Sequence, residues 1–546
     1  MVTVAIVATA IWYVLHARSS TPGVPASVPP TTVAAAPQGR GIRNVILISM
    51  DTTRWDVISA YGAPEVNSPN VGALAREGVV FENAYAPIPL TLPSHASMLT
   101  GKTPLAHGVF DNGRDRLSAE HQTLAEVLRG NGFNTAAFVS AVVLAARFGL
   151  DRGFDVYDGD IPQVALMGER RGDVTTARAI DWLERHAGQR NFLFLHLFDP
   201  HAPYEAPEPF ASEIRRVYHD YPDYIQDYVG EIAFTDHCIG ELLAKLKQLG
   251  LYDHTLICVT ADHGESHGEH GEDTHAFFIY TSTMKVPLIF KVPGIPGPLR
   301  VRESVEVTDI PTTLLSLLGL GFENEVQGHD LTGYLGGRES VFPDRAIVGV
   351  TLEARKYGGS SLLGVIVGDY HYIRAPRPEL YNLARDVYER ENLVAAEPET
   401  ARRLRERLEG ILARPEVLAL PQRPTVDAET RRQLEQLGYV VAGDTGGDVG
   451  STAEALDPKD LIVYYRAAMT SMSFVAPENH AKALAAAEEM VKMRPDFYFG
   501  YLMKARVLEA SGRHAEAVAT LDRARALAPT AQELTLQWGG TEGPGA

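Results

Sequence analysis

The stretch Thr91-Leu92-Pro93-Ser94-His95-Ala96-Ser97-Met98-Leu99-Thr100-Gly101 carries residue types suited to attack on an ester. Pro93 fits the first turn of a helix and Gly101 fits its C-cap, so the spacing predicts a helix that opens at Thr91. The threonine hydroxyl then sits at a helix N-terminus, where orphan N–H groups and the dipole favour an anion. An alkoxide there is a suitable nucleophile toward phosphorus or sulfur. Taken alone, such a threonine reads as a plain N-cap. Its distant partners argue for more: Asp51 before it, and Asp262-His263-Gly264-Glu265-Ser266-His267-Gly268-Glu269-His270 after it. Two carboxylates and an imidazole, Asp51, Asp262 and His263, make a divalent-metal set, and the imidazole favours zinc or manganese over calcium.

Something must bring these residues together. Asn44-Val45-Ile46-Leu47-Ile48-Ser49, Asn191-Phe192-Leu193-Phe194-Leu195-His196-Leu197 and His254-Thr255-Leu256-Ile257-Cys258-Val259-Thr260 are short apolar runs without alternation. Such runs are expected of parallel strands buried on both faces. Each ends in acids or histidines: Asp51, then Asp199-Pro200-His201, then Asp262-His263. In open α/β sheets ligands bind outside the carboxyl ends of the strands, so these residues are expected at one sheet edge. A lone Asp after a strand is otherwise a turn residue, and Asn112 in Asp111-Asn112-Gly113 reads equally as a turn.

In this order and spacing the motifs resemble the sulfatase-like branch of the alkaline phosphatase superfamily, from about residue 44 to about residue 412. The matching positions include Asp51 and Arg54, Thr91-Leu92-Pro93-Ser94-His95, Pro200-His201-Ala202-Pro203-Tyr204, Thr260-Ala261-Asp262-His263-Gly264 and Glu379-Leu380-Tyr381-Asn382-Leu383. The resemblance implies an alkaline-phosphatase-like sandwich of helices around a mostly parallel α/β sheet. It also implies a metal held by Asp51, Thr91, Asp262 and His263. On this reading His201 or His275 protonates the leaving oxygen, and His95 and Asn112 donate to non-bridging oxygens. The departures bear on chemistry. Thr91 stands where sulfatases carry the cysteine or serine that becomes formylglycine, and threonine cannot form that aldehyde. Thr52 replaces one paired acid, His95 the motif arginine, and His275 a lysine. These changes point to a metal-dependent hydrolase of phosphodiesters or phosphonate monoesters that works through a phosphothreonine. A sulfatase and a phosphoethanolamine- or phosphoglycerol-type transferase remain open on the same fold. So does a non-catalytic scaffold with a degenerate hydrolase domain.

A formal charge of −19 argues against nucleic acid as a partner, so a small anionic ester must be drawn by local charge. Cys238 and Cys258 read as two buried thiols, with a disulfide left open. Residues 1–41 read as a signal peptide or signal-anchor followed by a Pro- and Ala-rich tether. The expectation is an exported protein, periplasmic or membrane-anchored, facing outside the cytoplasm. The catalytic domain is expected over 42–414, closed by a helix with Leu404, Leu408 and Leu412 on one face, and a linker over 415–455. Over 456–540 an Ala-rich helical region repeats, with Pro495 and Pro529 34 residues apart. It resembles a tetratricopeptide (TPR) array. Such a stack either presents a groove to a protein partner or caps the enzyme. The Gly-rich linker predicts that few contacts cross between the two parts.

Overall fold

All seven residues of β1 (Asn44–Met50) are buried, and the strand lies inside an eight-stranded sheet. β1 pairs in parallel with β5 (Asn191–Leu197) on one side and β6 (Thr255–Thr260) on the other. These are the three apolar runs of the sequence, and the register sets Ser49 opposite both His196 and Thr260. β3 (Asn134–Phe138) and β4 (Val156–Asp158) extend the parallel part beyond β5. On the far side β7 (Lys285–Lys291) runs antiparallel to β6 and to β2 (Val79–Tyr85), and β8 (Leu299–Glu306) is parallel to β2. The order is β4-β3-β5-β1-β6-β7-β2-β8. The computed structural model describes residues 41–159, 161, 169–337, 342, 344–414 and 455–529. The N-terminal apolar segment with its tether, and most of the linker, lie outside the described residues.

Alternation along β1 feeds two cores. Val45 and Leu47 join Leu92, Met98 and Leu99 of α1 (Thr91–Thr100) on one face. Ile46, Ile48 and Met50 join Tyr228, Ile232 and Leu242 of α2 (Asp223–Gln248) on the other. Helices therefore cover both faces, as a buried parallel sheet requires. A smaller antiparallel sheet follows: β9 (Ala346–Thr351), β10 (Leu362–Val367), β11 (Tyr370–Arg374) and β12 (Glu379–Asn382), in the order β12-β11-β10-β9. α3 (Pro398–Leu412) lays Leu404 and Leu408 into the core shared with Val365 and Tyr372 of that sheet.

Beyond the linker, α4 (Pro458–Met472), α5 (His480–Met493), α6 (Tyr498–Ala510) and α7 (His514–Leu527) pack each against the next. The expected independence of this part is overturned. Leu461, Tyr464, Tyr465 and Ala468 of α4 share one hydrophobic core with Phe277, Phe278, Tyr357 and Leu362 of the catalytic domain. Arg494 donates to the Tyr357 carbonyl at 2.6 Å, and Arg466 pairs with Asp273 at 2.6 Å. A linker's composition says how freely the chain leaves the core, not where it returns. Two helical hairpins are too few to bury their own apolar faces, so α4 finds its partner surface on the sheet domain. Among the described residues no helix is long and apolar enough to cross a membrane. Cys238 and Cys258 are both buried and unbridged.

Candidate active site

The strands deliver their following residues to one edge of the sheet. Asp51, Asp262 and His263 are fully buried, and one ligand-type atom from each lies within 4.8 Å of the others. Thr52 sits at φ 49°, a left-handed conformation rare for a β-branched residue. That turn places the Thr52 N–H on Asp262 Oδ1 at 3.2 Å, beside the His263 N–H at 2.9 Å. Two donors thus occupy Oδ1, while Asp262 Oδ2 has no hydrogen-bond partner among the described residues. Asp51 is similar: Oδ2 lies 3.0 Å from His196 Nε2, and Oδ1 has no hydrogen-bond partner among the described residues. The Ser140 N–H donates to His196 Nδ1, which assigns the imidazole proton to Nε2 and makes it the donor to Asp51. His263 Nδ1 lies 2.9 Å from the Gly264 carbonyl and donates to it. This turns the lone pair of Nε2 toward Thr91 Oγ1 at 3.5 Å.

This donor set fits a divalent cation. Two unpartnered buried carboxylate oxygens and a bare imidazole nitrogen converge, each held by its own backbone or histidine partner. Electrostatics agree. Burial pushes Asp51 up to about 7 and Glu265 up to about 8, because the site's own residues supply too little positive charge to ionise both.

Thr91 is the first residue of α1, whose ten residues are all buried. The expected C-cap is present: Gly101 adopts φ 68° and its N–H bonds to the Ser97 carbonyl. Asn112 Oδ1 accepts from the Leu92 N–H at 2.8 Å, and its buried Nδ2 has no hydrogen-bond partner among the described residues. One side of the amide anchors the helix start while the other keeps a donor. His95 differs from expectation. Its Nδ1 lies 2.7 Å from the Thr91 carbonyl and its Nε2 2.9 Å from Ser49 Oγ, with no exposed surface. Both nitrogens are committed to the protein, so His95 locks α1 to β1 and has no donor left for a substrate oxygen. His201 stacks on Phe198 at 4.3 Å and lies 5.2 Å from the ring of His275. His275 in turn lies 4.5 Å from His263. The three imidazoles thus form a continuous row that begins at His263 beside Thr91. Glu265 accepts from His275 Nδ1 at 3.1 Å, and burial lowers His275 to about 4.

Four neighbours escaped the sequence reading. His196 is the one residue of β5 besides Asn191 that breaks an apolar run, and that interruption was its only signal. Glu265 lay within the acid-rich string without a distinguishing feature. Lys356 bridges Asp111 and Glu353 at 2.8 Å each, tying the Asn112 turn to the second sheet. Tyr465 donates to the His275 carbonyl at 3.1 Å from the C-terminal helices.

With this geometry in place, comparison with known proteins decides the family. The sequence model of the family described as Sulfatase matches residues 43–320, just over half of the chain. The chain belongs to the sulfatase family. It is 27% identical over 408 residues to the "Ulvan-active sulfatase" of Formosa agariphila, covering 64% of this chain and 77% of that protein. It is 24% identical over 447 residues to "Arylsulfatase K" of Mus musculus, covering 69% of this chain and 80% of the other. The fold matches a phosphonate monoester hydrolase of Agrobacterium radiobacter with a TM-score of 0.58 at 23% identity, covering 68% of this chain and 95% of that one. This chain is therefore a hydrolase of the sulfatase family. The family generally binds a divalent metal, and among the described residues Asp51, Asp262 and His263 form a group that could hold one.

Proposed function

We propose that this sulfatase-family hydrolase cleaves phosphodiesters or phosphonate monoesters through a covalent phosphothreonine on Thr91. One observation carries the reading: a threonine hydroxyl, at the first position of a fully buried helix, faces His263 Nε2 at 3.5 Å. Asp51, Asp262 and His263, with the Thr91 oxygen, would hold zinc or manganese; the imidazole ligand favours these over calcium. A divalent cation there lowers the pKa of the Thr91 hydroxyl and offsets charge on the ester oxygens.

Thr91 Oγ, having lost its proton to water, forms a bond to phosphorus as the bond to the leaving oxygen breaks. His275 gives its Nε2 proton to that oxygen, while Glu265 at Nδ1 supports the cationic ring before transfer. The anionic ester opposes the burial that keeps His275 neutral when the site is empty. His201, stacked on Phe198, walls the same side and is the second candidate for this proton. Asn112 Nδ2 donates to a non-bridging oxygen, filling its missing hydrogen bond. Water then attacks the phosphothreonine and gives a proton to His275, the bond from phosphorus to Thr91 Oγ breaks, and the phosphate or phosphonate product leaves with Thr91 restored.

The sulfatase relatives support a second reading, cleavage of sulfate esters with Thr91 itself as nucleophile. A screen of kcat/KM over aryl phosphodiesters, phosphonate monoesters, phosphate monoesters and sulfate esters separates the two. The proposal expects phosphodiesters or phosphonate monoesters to lead, and a higher kcat/KM for an aryl sulfate than for every phosphorus ester overturns it. We also propose export by the N-terminal segment, with a membrane tether if it is not cleaved. The outer face of the tetratricopeptide-like helices is the proposed site for a protein partner.

A further inference from the structure

The packing of the C-terminal helices reaches the loop that carries His275. The loop 272–278 carries His275 and is clamped at successive residues. The Thr274 carbonyl accepts from the Ser266 N–H at 2.8 Å, and the Ala276 carbonyl accepts from the Thr351 hydroxyl. The Phe277 N–H donates to Glu272 at 2.8 Å. Between these, the His275 carbonyl accepts from Tyr465 Oη at 3.1 Å. Tyr465 belongs to α4, across the linker from everything else in the site. Its ring stacks on Phe277 with centroids 4.4 Å apart and meets Tyr357 edge-on at 5.5 Å. The tyrosine is thus fixed before its hydroxyl acts.

The clamp holds strained backbone. Ala276 adopts φ 87°, a left-handed conformation that an alanine keeps only where its surroundings impose it. Relaxing it turns the preceding peptide, and with it the His275 ring. That ring is held against Glu265 by a single 3.1 Å contact at Nδ1. A small rotation would separate the ring from Glu265 and move Nε2 away from the leaving oxygen.

We propose that Tyr465 is a positioning residue for His275, so that the C-terminal helical module completes the active site of the catalytic domain. This rests on the reading of His275 as the proton donor to the leaving group. The consequence is specific. Loss of the Tyr465 hydroxyl should weaken proton transfer without weakening substrate binding or nucleophilic attack.

The test uses the full chain and two esters of one acid, 4-nitrophenyl and phenyl phenylphosphonate, whose leaving groups differ in their need for a proton. His275→Ala sets the reference and should slow the phenyl ester far more than the 4-nitrophenyl ester. Tyr465→Phe should lower kcat for the phenyl ester about tenfold, leave the 4-nitrophenyl ester within about twofold, and leave both KM values unchanged. Lys504→Ala removes only an ion pair with Glu488 inside the C-terminal module and should leave both rates unchanged. If Tyr465→Phe folds and slows both esters equally, or neither, while His275→Ala is selective, the positioning role of Tyr465 is overturned. If His275→Ala is itself unselective, the reading of His275 falls, and the proposal with it. Should Tyr465→Phe fail to fold, Thr351→Val releases the adjacent Ala276 clamp and must show the same ester selectivity.

Discussion

Replacing His95 by alanine distinguishes a residue that holds the site from one that touches substrate. The imidazole is wholly buried, bonds to Ser49 Oγ at 2.9 Å and to the Thr91 carbonyl at 2.7 Å, and meets the ring of His196 edge-on at 4.8 Å. Its removal leaves a ring-sized cavity between α1 and β1, at about 2–3 kcal/mol. It also strips the Ser49 hydroxyl of that partner in a dry interior, at about 1–2 kcal/mol. The Thr91 carbonyl loses less, because it still accepts the helical bond of the first turn. The sum is about 4 kcal/mol. At about 2.1 cal/mol/K of unfolding entropy per residue over a domain of about 370 residues, this lowers Tm by about 5 °C. Differential scanning calorimetry reads that shift, and kcat/KM is measured on the same preparations well below Tm. A melting temperature within 1 °C of the parent together with a hundredfold loss of kcat/KM would refute the reasoning, since His95 would then be acting on the substrate.

Thr91→Ala should lower turnover by several orders of magnitude with an unchanged melting temperature, and Thr91→Ser should keep part of the activity. Near-normal turnover in the alanine variant excludes a covalent threonine. Removing divalent ions with a chelator should abolish hydrolysis, zinc or manganese should restore it better than calcium, and Asp262→Asn should lower the metal content found by elemental analysis. Full activity in protein shown to be metal-free contradicts the assignment of the site. Ending the chain at Gly450 should expose Phe277, Tyr357 and Leu362 and give aggregated protein in sedimentation velocity. A soluble fragment with undiminished turnover would show that the packing of α4 is dispensable.

The strands were legible because a strand buried on both faces must be apolar throughout, which β1, β5 and β6 are. The helix that opens at Thr91 was legible through Pro93 and Gly101, which mark the two ends of α1. The role of His95 was not. Every residue of α1 is buried, so no polar face marks which side chains meet substrate and which meet β1. His95 and Thr91 are one turn apart, and the imidazole turns back onto the Thr91 carbonyl; that choice depends on Ser49, which arrives from another strand. The helical character of the C-terminal region was legible, but the choice between a groove for a partner and a cap on the enzyme was not. Leu461, Tyr464, Tyr465 and Ala468 recur at helical spacing, and that spacing fits packing within the module as well as packing on the sheet domain.

The charge balance around Thr91 favours a divalent cation on grounds independent of family. Asp51, Asp262 and Glu265 bring three buried carboxyl groups to a site that must admit an anionic ester. The buried cations nearby are already matched by acids. Arg54 pairs with Asp56 and Glu269, and Lys356 with Asp111 and Glu353. At 4 Å and an effective dielectric of about 20, each carboxylate repels a singly charged ester by about 4 kcal/mol. Protonation relieves part of this, consistent with the upward displacement of Asp51 and Glu265, but it also removes the ligand and the partner of His275. Asp51, Asp262 and His263 would resolve the conflict by holding a dication: the acids would stay ionised, the ester would be attracted, and Glu265 would remain able to support His275 in its proposed role.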